Sequence, residues 1–498
     1  MILLVQNNDA YENDLRAMIS AFFPVEKIRT ALPAEVAEYE KKFFGEFSFI
    51  FTALYDEGTT RLRIEEKGYV KYSAYTYGDY SDRKRYRNRL KKASYRLLSE
   101  YTGRILPWGS LTGMRPTKIA TKGLKKGRTK EDVIDYYIRT YDTSQEKAVL
   151  ATEVSLTEEK ILNSVDPQTD YCLYVGIPFC PTRCLYCSFA AYPLMQYESK
   201  VGDYIDCLKK ELPFISYLNR NRRLVAIYIG GGTPTSLSAH DIGQIMQCIN
   251  DSFDLSALRE YTVEAGRPDS ITRDKLGVIK KMGCTRISIN PQTMNEKTLR
   301  TIGRAHTPAD IKWAMNEARK AGFKNINMDI IAGLPDENLE DMNYTMEELE
   351  KMAPESITIH SLAIKRAAEL KQEYVFYQGK INHDTDAMVS LAAKKAEEMG
   401  MLPYYLYRQK NIAGNLENTG FAKKGCECIY NVLIMEECID TFAAGAGAVS
   451  RLLNIENGIT TRVDRVGNVK GVDEYIERID EMLERKQAGV DGVIKTRE

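Results

Sequence analysis

From about residue 168 the chain settles into a regular rhythm. Short runs rich in β-branched and aromatic residues (Tyr171–Gly176, Leu224–Ile229, Tyr261–Glu264, Thr285–Ile289, Asn325–Ile331, Ser356–His360) alternate with stretches whose apolar residues recur every three or four positions. The latter are Lys200–Ile215, Ile242–Asn250, Thr272–Met282, Ile311–Ala321 and Leu339–Met352. These are the periods of strand and helix. Their alternation predicts an α/β fold: a parallel sheet joined by right-handed crossovers. Six βα units fall short of the eight that close a TIM barrel, so the expectation is an open, partial (β/α)6 barrel over residues 166–365. Chemistry in such sheets sits at the carboxyl ends of the strands.

The flanks read differently. Residues 1–165 open with a strand at Ile2–Val5 and a helix. Two strand-like runs follow, Glu46–Leu54 and Arg61–Tyr75, joined by the turn-forming Asp56-Glu57-Gly58. Helices come next, the last over Thr143–Leu162, so this is an N-terminal α+β accessory domain. Residues 366–498 begin with a helix, Thr385–Met399, that Gly400 ends as a C-cap. Short strands, the glycine-rich run Ala443–Ser450 and a charged helix at Val472–Arg485 complete a mixed α/β region. It is expected to cover the open side of the barrel.

Composition narrows the class. The 498 residues are 44% apolar and 28% charged, as in an ordinary globular protein. Lys+Arg and Asp+Glu are both 69, so no global field draws nucleic acid or an acidic membrane. The apolar start MILLV is too short for a signal-peptide core, and no run approaches bilayer length. The chain therefore reads as a cytoplasmic monomer with neither a nucleic-acid partner nor an integral membrane segment. One stretch, residues 83–96, carries eight basic side chains, but Tyr86, Leu90, Ala93 and Leu97 recur at helical spacing. It reads as an amphipathic helix with a solvated basic face.

Ten cysteines in such a compartment point to metal or redox chemistry before disulfides. Three of them, Cys180, Cys184 and Cys187, crowd into GIPFCPTRCLYCSF, directly after the first strand of the α/β region. Zinc sites draw four ligands from separated pairs, and ordinary [4Fe–4S] sites use four thiolates. Three thiolates in one tight loop leave one iron open to a small molecule. S-adenosylmethionine (SAM) chelates such an iron through its amino and carboxylate groups. Tyr186 and Phe189, beside the thiolates, are expected to keep water from the cluster. The second strand ends in YIGGGTPTSL, where Gly230 to Gly232 let backbone approach a ligand closely. Cys426, Cys428 and Cys438 read as small buried or free thiols, and His306 and His360, near strand ends, as structural histidines.

The ordered motifs YVGIPFCPTRCLYCSF, IYIGGGTPTSL, TVEAGRPDSIT, RISINPQTMNEKTLRTIGRAH and INMDIIAGLP resemble the radical SAM superfamily, and within it the oxygen-independent coproporphyrinogen III oxidase family. LTGMRPTKI before the core and YYLYRQKNIAGNLEN after it resemble that family's HemZ branch. The resemblance implies that Cys180, Cys184 and Cys187 hold a [4Fe–4S] cluster and that SAM is the second cofactor. It places Tyr174, Phe189, Gly231, Gly232, Thr233, Glu264, Gln292, Arg304 and Asp329 around SAM, with Tyr174 and Arg304 as the catalytic pair. The implied substrate is coproporphyrinogen III or another tetrapyrrole, with an electron donor such as flavodoxin or ferredoxin. The implied reaction turns two propionates into vinyl groups.

Two positions depart from the family's decarboxylases. Gly176 stands where they carry His, and Phe189 where they carry a fourth cysteine. Phe at that place resembles the haem-chaperone (HemW-type) branch, which is the alternative reading. A third is another radical tetrapyrrole enzyme, such as one that opens haem anaerobically. A tetrapyrrole with four carboxylates needs cations, and Arg267, Lys365, Arg366, Arg408 and Lys410 are the candidates.

Overall fold

The computed structural model describes the chain except residues 190, 364–367, 369, 371–383, 410–414, 457–458 and 498. Lys365, Arg366 and Lys410 therefore lie outside the described residues. By internal contacts the chain divides into two compact units. The first is Met1–Leu156 with Ser361–Lys365 and Leu406–Asn418; the second is the remainder.

In the first unit, strands β1 (Ile2–Gln6), β2 (Ile28–Ala31), β3 (Phe49–Asp56), β4 (Thr59–Glu66) and β5 (Tyr69–Tyr77) form one sheet in the order β2-β1-β3-β4-β5. The expected single run Arg61–Tyr75 is broken into β4 and β5, because Lys67 and Gly68 both take left-handed φ (48° and 79°) and turn the chain back. β2 was not expected: with only four residues, IRTA, it lies below the length at which periodicity speaks. The basic helix spans Arg83–Thr102, capped by Asp82. It buries Tyr86, Leu90 and Leu97 against Phe49, Phe51 and Leu62 of the sheet, as its stripe predicts.

The second unit contains β6 (Asp170–Ile177), the two-residue strands β7 (Phe179–Cys180) and β8 (Tyr192–Pro193), then β9 (Arg223–Gly231), β10 (Glu260–Gly266), β11 (Arg286–Ile289), β12 (Ile326–Ala332) and β13 (Ser356–Ser361). β6 and β9 to β13 are the six expected strands, and they lie side by side in chain order. The pairs β6–β9, β9–β10, β10–β11 and β11–β12 are parallel. Their helix-facing residues and the crossover helices Val201–Leu218, Ala239–Ser252, Arg273–Lys281 and Pro308–Lys320 share one apolar core.

The C-terminal strands extend this sheet instead of lying across it. Its full order is β14-β15-β13-β12-β11-β10-β9-β6-β16-β17-β18, with β14 (Leu402–Arg408), β15 (Glu417–Ala422), β16 (Asp440–Ala444), β17 (Val449–Glu456) and β18 (Ile459–Gly467). β15 runs antiparallel to β13, whereas β16 runs parallel to β6. The expected single helix Val472–Arg485 is two, Val472–Glu477 and Ile479–Arg497.

The junction of β16 with β6 depends on a glycine. Gly445 has φ +100°, and a Cβ there would sit 2.4 Å from the Gly176 carbonyl oxygen and 2.5 Å from the Tyr204 hydroxyl. Its N–H donates to Glu211 (2.8 Å), which also accepts from Tyr475 and Asn468 and pairs with Lys486. Glu211 and Lys486 are both buried, a cost met only by that full set of partners. Gly445→Ala is expected to destabilise the protein by roughly 3 kcal/mol or more. Gly202→Ala, at a helix position with open space around it, should stay within about 1 kcal/mol of wild type. Chemical denaturation of both variants measures the difference.

Candidate functional site

The chain leaves β6, makes the short strand β7 and enters the loop that carries Cys180, Cys184 and Cys187. Backbone bonds fix this loop: Cys187 N–H donates to Cys184 O (3.0 Å) and Leu185 N–H to Ile302 O (3.1 Å). Two buried arginines grip it from other strands. Arg267, just past β10, donates through Nη1 to Thr182 O (3.1 Å), Thr182 Oγ1 (2.8 Å) and Cys184 Sγ (3.7 Å). Arg304 donates through Nη2 to the Tyr186 hydroxyl (2.9 Å) and through Nη1 to Asn290 O (3.1 Å). Cys180 shares a hydrogen bond with Thr233 at 3.5 Å.

This donor set fits a cluster. Among the described residues no three His, Cys, Asp or Glu side chains converge on one metal ion. A cube does not ask them to, since each thiolate meets a different iron. Burial pushes the Cys180 thiol up to about 11, and it pushes Cys187 up as well. Without metal these two keep their protons, which iron must displace on binding.

The strand ends beside the loop build a second pocket. Gly231 has φ +112°, and a Cβ on Gly232 would lie 2.5 Å from Phe179 O. This turn is pinned by Gly232 N–H to Ile177 O and Thr233 N–H to Phe179 O, both 2.7 Å. Glu264, on β10, accepts from the Tyr228 hydroxyl and from Gly231 N–H (3.3 Å). Tyr174 and Tyr228 stack with Tyr430 at centroid distances of 6.3 and 4.7 Å. Gln292, itself at φ +69°, is fixed by its N–H to Asp329 O (2.9 Å). Asp329 accepts from Asn327 (2.6 Å), and His360 Nε2 lies 3.8 Å away.

Three buried polar atoms here have no partner: Gln292 Oε1, Asn290 Oδ1 and Arg304 Nε. Buried polar groups are rarely left so, and each costs free energy until a ligand satisfies it. The expected SAM residues thus fit a polar ligand.

Electrostatics separates the two carboxylates. Burial raises Glu264 from 4.5 to about 7, and the charge of Asp329 adds to the rise. Asp329 is buried too, but the nearby His360 imidazole and the hydrogen bond from Asn327 outweigh the burial and lower it. One acid is poised near neutrality while its neighbour stays ionised.

Some sequence expectations move. Phe189 is 65% exposed, whereas Tyr186 is the aromatic turned inward, onto Arg304. Arg267 is not a free cation for propionates, because its guanidinium is 2% exposed in the residue's setting and is taken by the cysteine loop and Asp269. Nor is Arg408, which lies buried in the first unit and donates to Leu111 O (2.8 Å) and Asn415 O (3.1 Å). Cys428 is buried and donates to Glu260, a structural thiol as read. Sequence reasoning missed Tyr228, Tyr430 and Asn290. Tyr228 sits two positions before the glycine run, facing as Glu264 does, and that parity was the available signal. Tyr430 had none, being brought in from a distant helix.

Residues 174–349 match the model of the radical SAM superfamily. The oxygen-independent coproporphyrinogen-III oxidase-like protein HemZ of Bacillus subtilis is 38% identical over 81% of this chain and 81% of its own. The heme chaperone HemW of the same organism is 31% identical over 62% of this chain and 76% of its own. In fold, the chain is similar to the coproporphyrinogen III oxidase HemN of Escherichia coli, with a TM-score of 0.52 and 21% identity over 66% of this chain and 73% of that one.

Two outcomes are expected. Cys184→Ala should remove the iron–sulfur absorbance and all SAM cleavage, whereas an intact absorbance would refute the ligand assignment. The second concerns pH. The folded protein favours the acid form of Glu264, so that contribution to stability is full below 4.5 and lost as pH rises through about 7. If Glu264 accepts from the amino N–H of SAM, the carboxylate is the better acceptor, so affinity should run the other way, falling as pH drops below about 7. Calorimetric titration from pH 6 to 8 should show this slope, and Glu264→Gln should flatten it.

Proposed function

This chain belongs to the oxygen-independent coproporphyrinogen-III oxidase-like family of radical SAM proteins, which carry a [4Fe–4S] cluster and SAM, and from that premise we propose that it oxidatively decarboxylates coproporphyrinogen III. The observation that carries this reading is the set of unsatisfied buried atoms on Gln292, Asn290 and Arg304, placed at strand ends beside a three-thiol loop. When bound, the cluster and SAM supply a 5′-deoxyadenosyl radical. A propionate C–H is inert to ordinary bases, which is why a radical start suits this substrate.

The residues divide the work. Cys180, Cys184 and Cys187 hold the cluster and leave one iron open for SAM. The Gly231-Gly232-Thr233 turn and Glu264 take the SAM amino group. Gln292 and Arg304 hold the rest of its polar end, Asp329 meets it from the fifth strand, and Tyr174 closes the pocket. Each propionate then loses one hydrogen atom from its β-carbon, releases carbon dioxide and passes one electron to an acceptor, leaving a vinyl group. A flavodoxin or ferredoxin class protein supplies the electron that starts each cycle. The protein's place is the cytoplasm.

A second reading is a haem chaperone that keeps the cluster but delivers haem. Phe189 and the likeness to HemW favour it. Anoxic turnover separates them. The reconstituted protein, given SAM, a strong reductant and coproporphyrinogen III, is expected to yield 5′-deoxyadenosine and a divinyl porphyrin on chromatography. Deoxyadenosine without vinyl product would reject the decarboxylase, and tight haem binding without SAM turnover would support the chaperone.

A further inference from the structure

Arg267 has a place in the molecule that none of the expected cofactor contacts explains. It follows Gly266, whose φ of +61° turns the chain sharply at the end of β10. The residue is 2% exposed. A cation this deep is costly unless every part of it is paired. Nε and Nη2 form a two-pronged contact with Asp269, at 3.0 and 2.7 Å. That fork fixes the plane of the guanidinium. Asp269 has a further neighbour, His306 Nδ1 at 3.7 Å, and its carboxyl is held low, burial being outweighed by the nearby imidazole and the two hydrogen bonds from Arg267. The remaining edge, Nη1, is thereby aimed at the cysteine loop. It donates to both oxygens of Thr182 and reaches Cys184 Sγ at 3.7 Å.

We propose that Arg267 is a positioning residue for the cluster: anchored by Asp269, it holds the loop at Thr182 and donates an N–H to the Cys184 thiolate, setting the cluster's reduction potential. The physical reason is charge. A thiolate bound to iron gains negative charge when the cluster is reduced. A fixed donor carrying a positive charge stabilises the reduced form more than the oxidised form, so it raises the potential. Asp269 tempers the effect, since it neutralises the guanidinium while fixing its direction. The second buried arginine differs in kind. Arg304 touches the loop through the Tyr186 hydroxyl and keeps Nε without a partner. A fixed, fully paired Arg267 suits the cluster, and a partly open Arg304 suits a ligand.

The inference rests on the cluster assignment and not on the substrate, so its test contains no tetrapyrrole. The reconstituted full chain, with SAM left out, is titrated anaerobically and the reduced cluster followed by electron paramagnetic resonance. Arg267→Gln should retain three-cysteine ligation by iron content while its midpoint shifts to more negative potential. Arg267→Lys keeps the charge but not the fork, and should recover part of the shift. An Arg267→Gln midpoint equal to wild type overturns the proposal. Where Arg267→Gln holds no iron, Asp269→Asn decides: it frees the guanidinium without removing it, and a wild-type midpoint and line shape in that variant overturn the proposal equally.

Discussion

The site depends on holding a short loop of three thiols in one shape. Buried thiols and cations cost free energy in opposite ways, and the structure sets one against the other. Burial pushes the Cys180 and Cys187 thiols up, while the buried guanidiniums of Arg267 and Arg304 are hydrogen-bonded to Asp269 and Tyr186. The loop is thus preformed by groups outside it. Ile302 and Gly303 accept its backbone and Thr182 bonds, so its shape is set by β10 and by the segment after β11. The groups that hold the loop thus come from parts of the chain outside it.

That arrangement follows from the parallel sheet. β6 and β9 to β12 deliver their carboxyl ends to the same rim, so residues far apart in sequence meet without long loops. The two-residue period of a strand then decides which side chains face inward. On β9 and β10 it turns Tyr228 and Glu264 toward each other, and the glycine turn after Tyr228 lets Gly231 N–H reach the same carboxylate. Burial leaves Glu264 near neutrality in spite of these two hydrogen bonds, while Asp329, with His360 beside it, is held low.

Much of this was legible in the sequence, and the parts that were not share a cause. The six strands, the cysteine spacing and the glycine run are local patterns, each written in consecutive residues. Strand β2 is too short to show a period, and the break at Lys67-Gly68 needed two successive left-handed residues, of which only one is glycine. Arg267 and Arg408 were misread for another reason. Sequence gives a cation but not its partner. Asp269 lies two residues from Arg267, yet the carbonyls of Leu111 and Asn415 that hold Arg408 come from separate stretches of chain. Tyr430 enters the aromatic stack from a C-terminal helix whose backbone Glu260 caps, a pairing across 170 residues. Such contacts are tertiary facts that no local pattern carries.

Gly176 is where packing bears most on the chemistry. The decarboxylases resembled by this chain carry His there, so its loss looks like a simple deletion of a functional group. The structure gives the position a second meaning. Gly176 O accepts from the Tyr204 hydroxyl at 2.7 Å and lies against Gly445, whose own side chain position is closed by that same oxygen. A Cβ on Gly176 would meet only ordinary contacts, 3.4 Å from Ala444 O and from the Tyr174 ring. The first atom of a side chain is thus admitted, while the turn after β16 and the ring of Tyr174 bound the room beyond it. The glycine and the turn are matched surfaces. The titratable group on the rim that burial brings near neutral pH is Glu264, at the carboxyl end of β10.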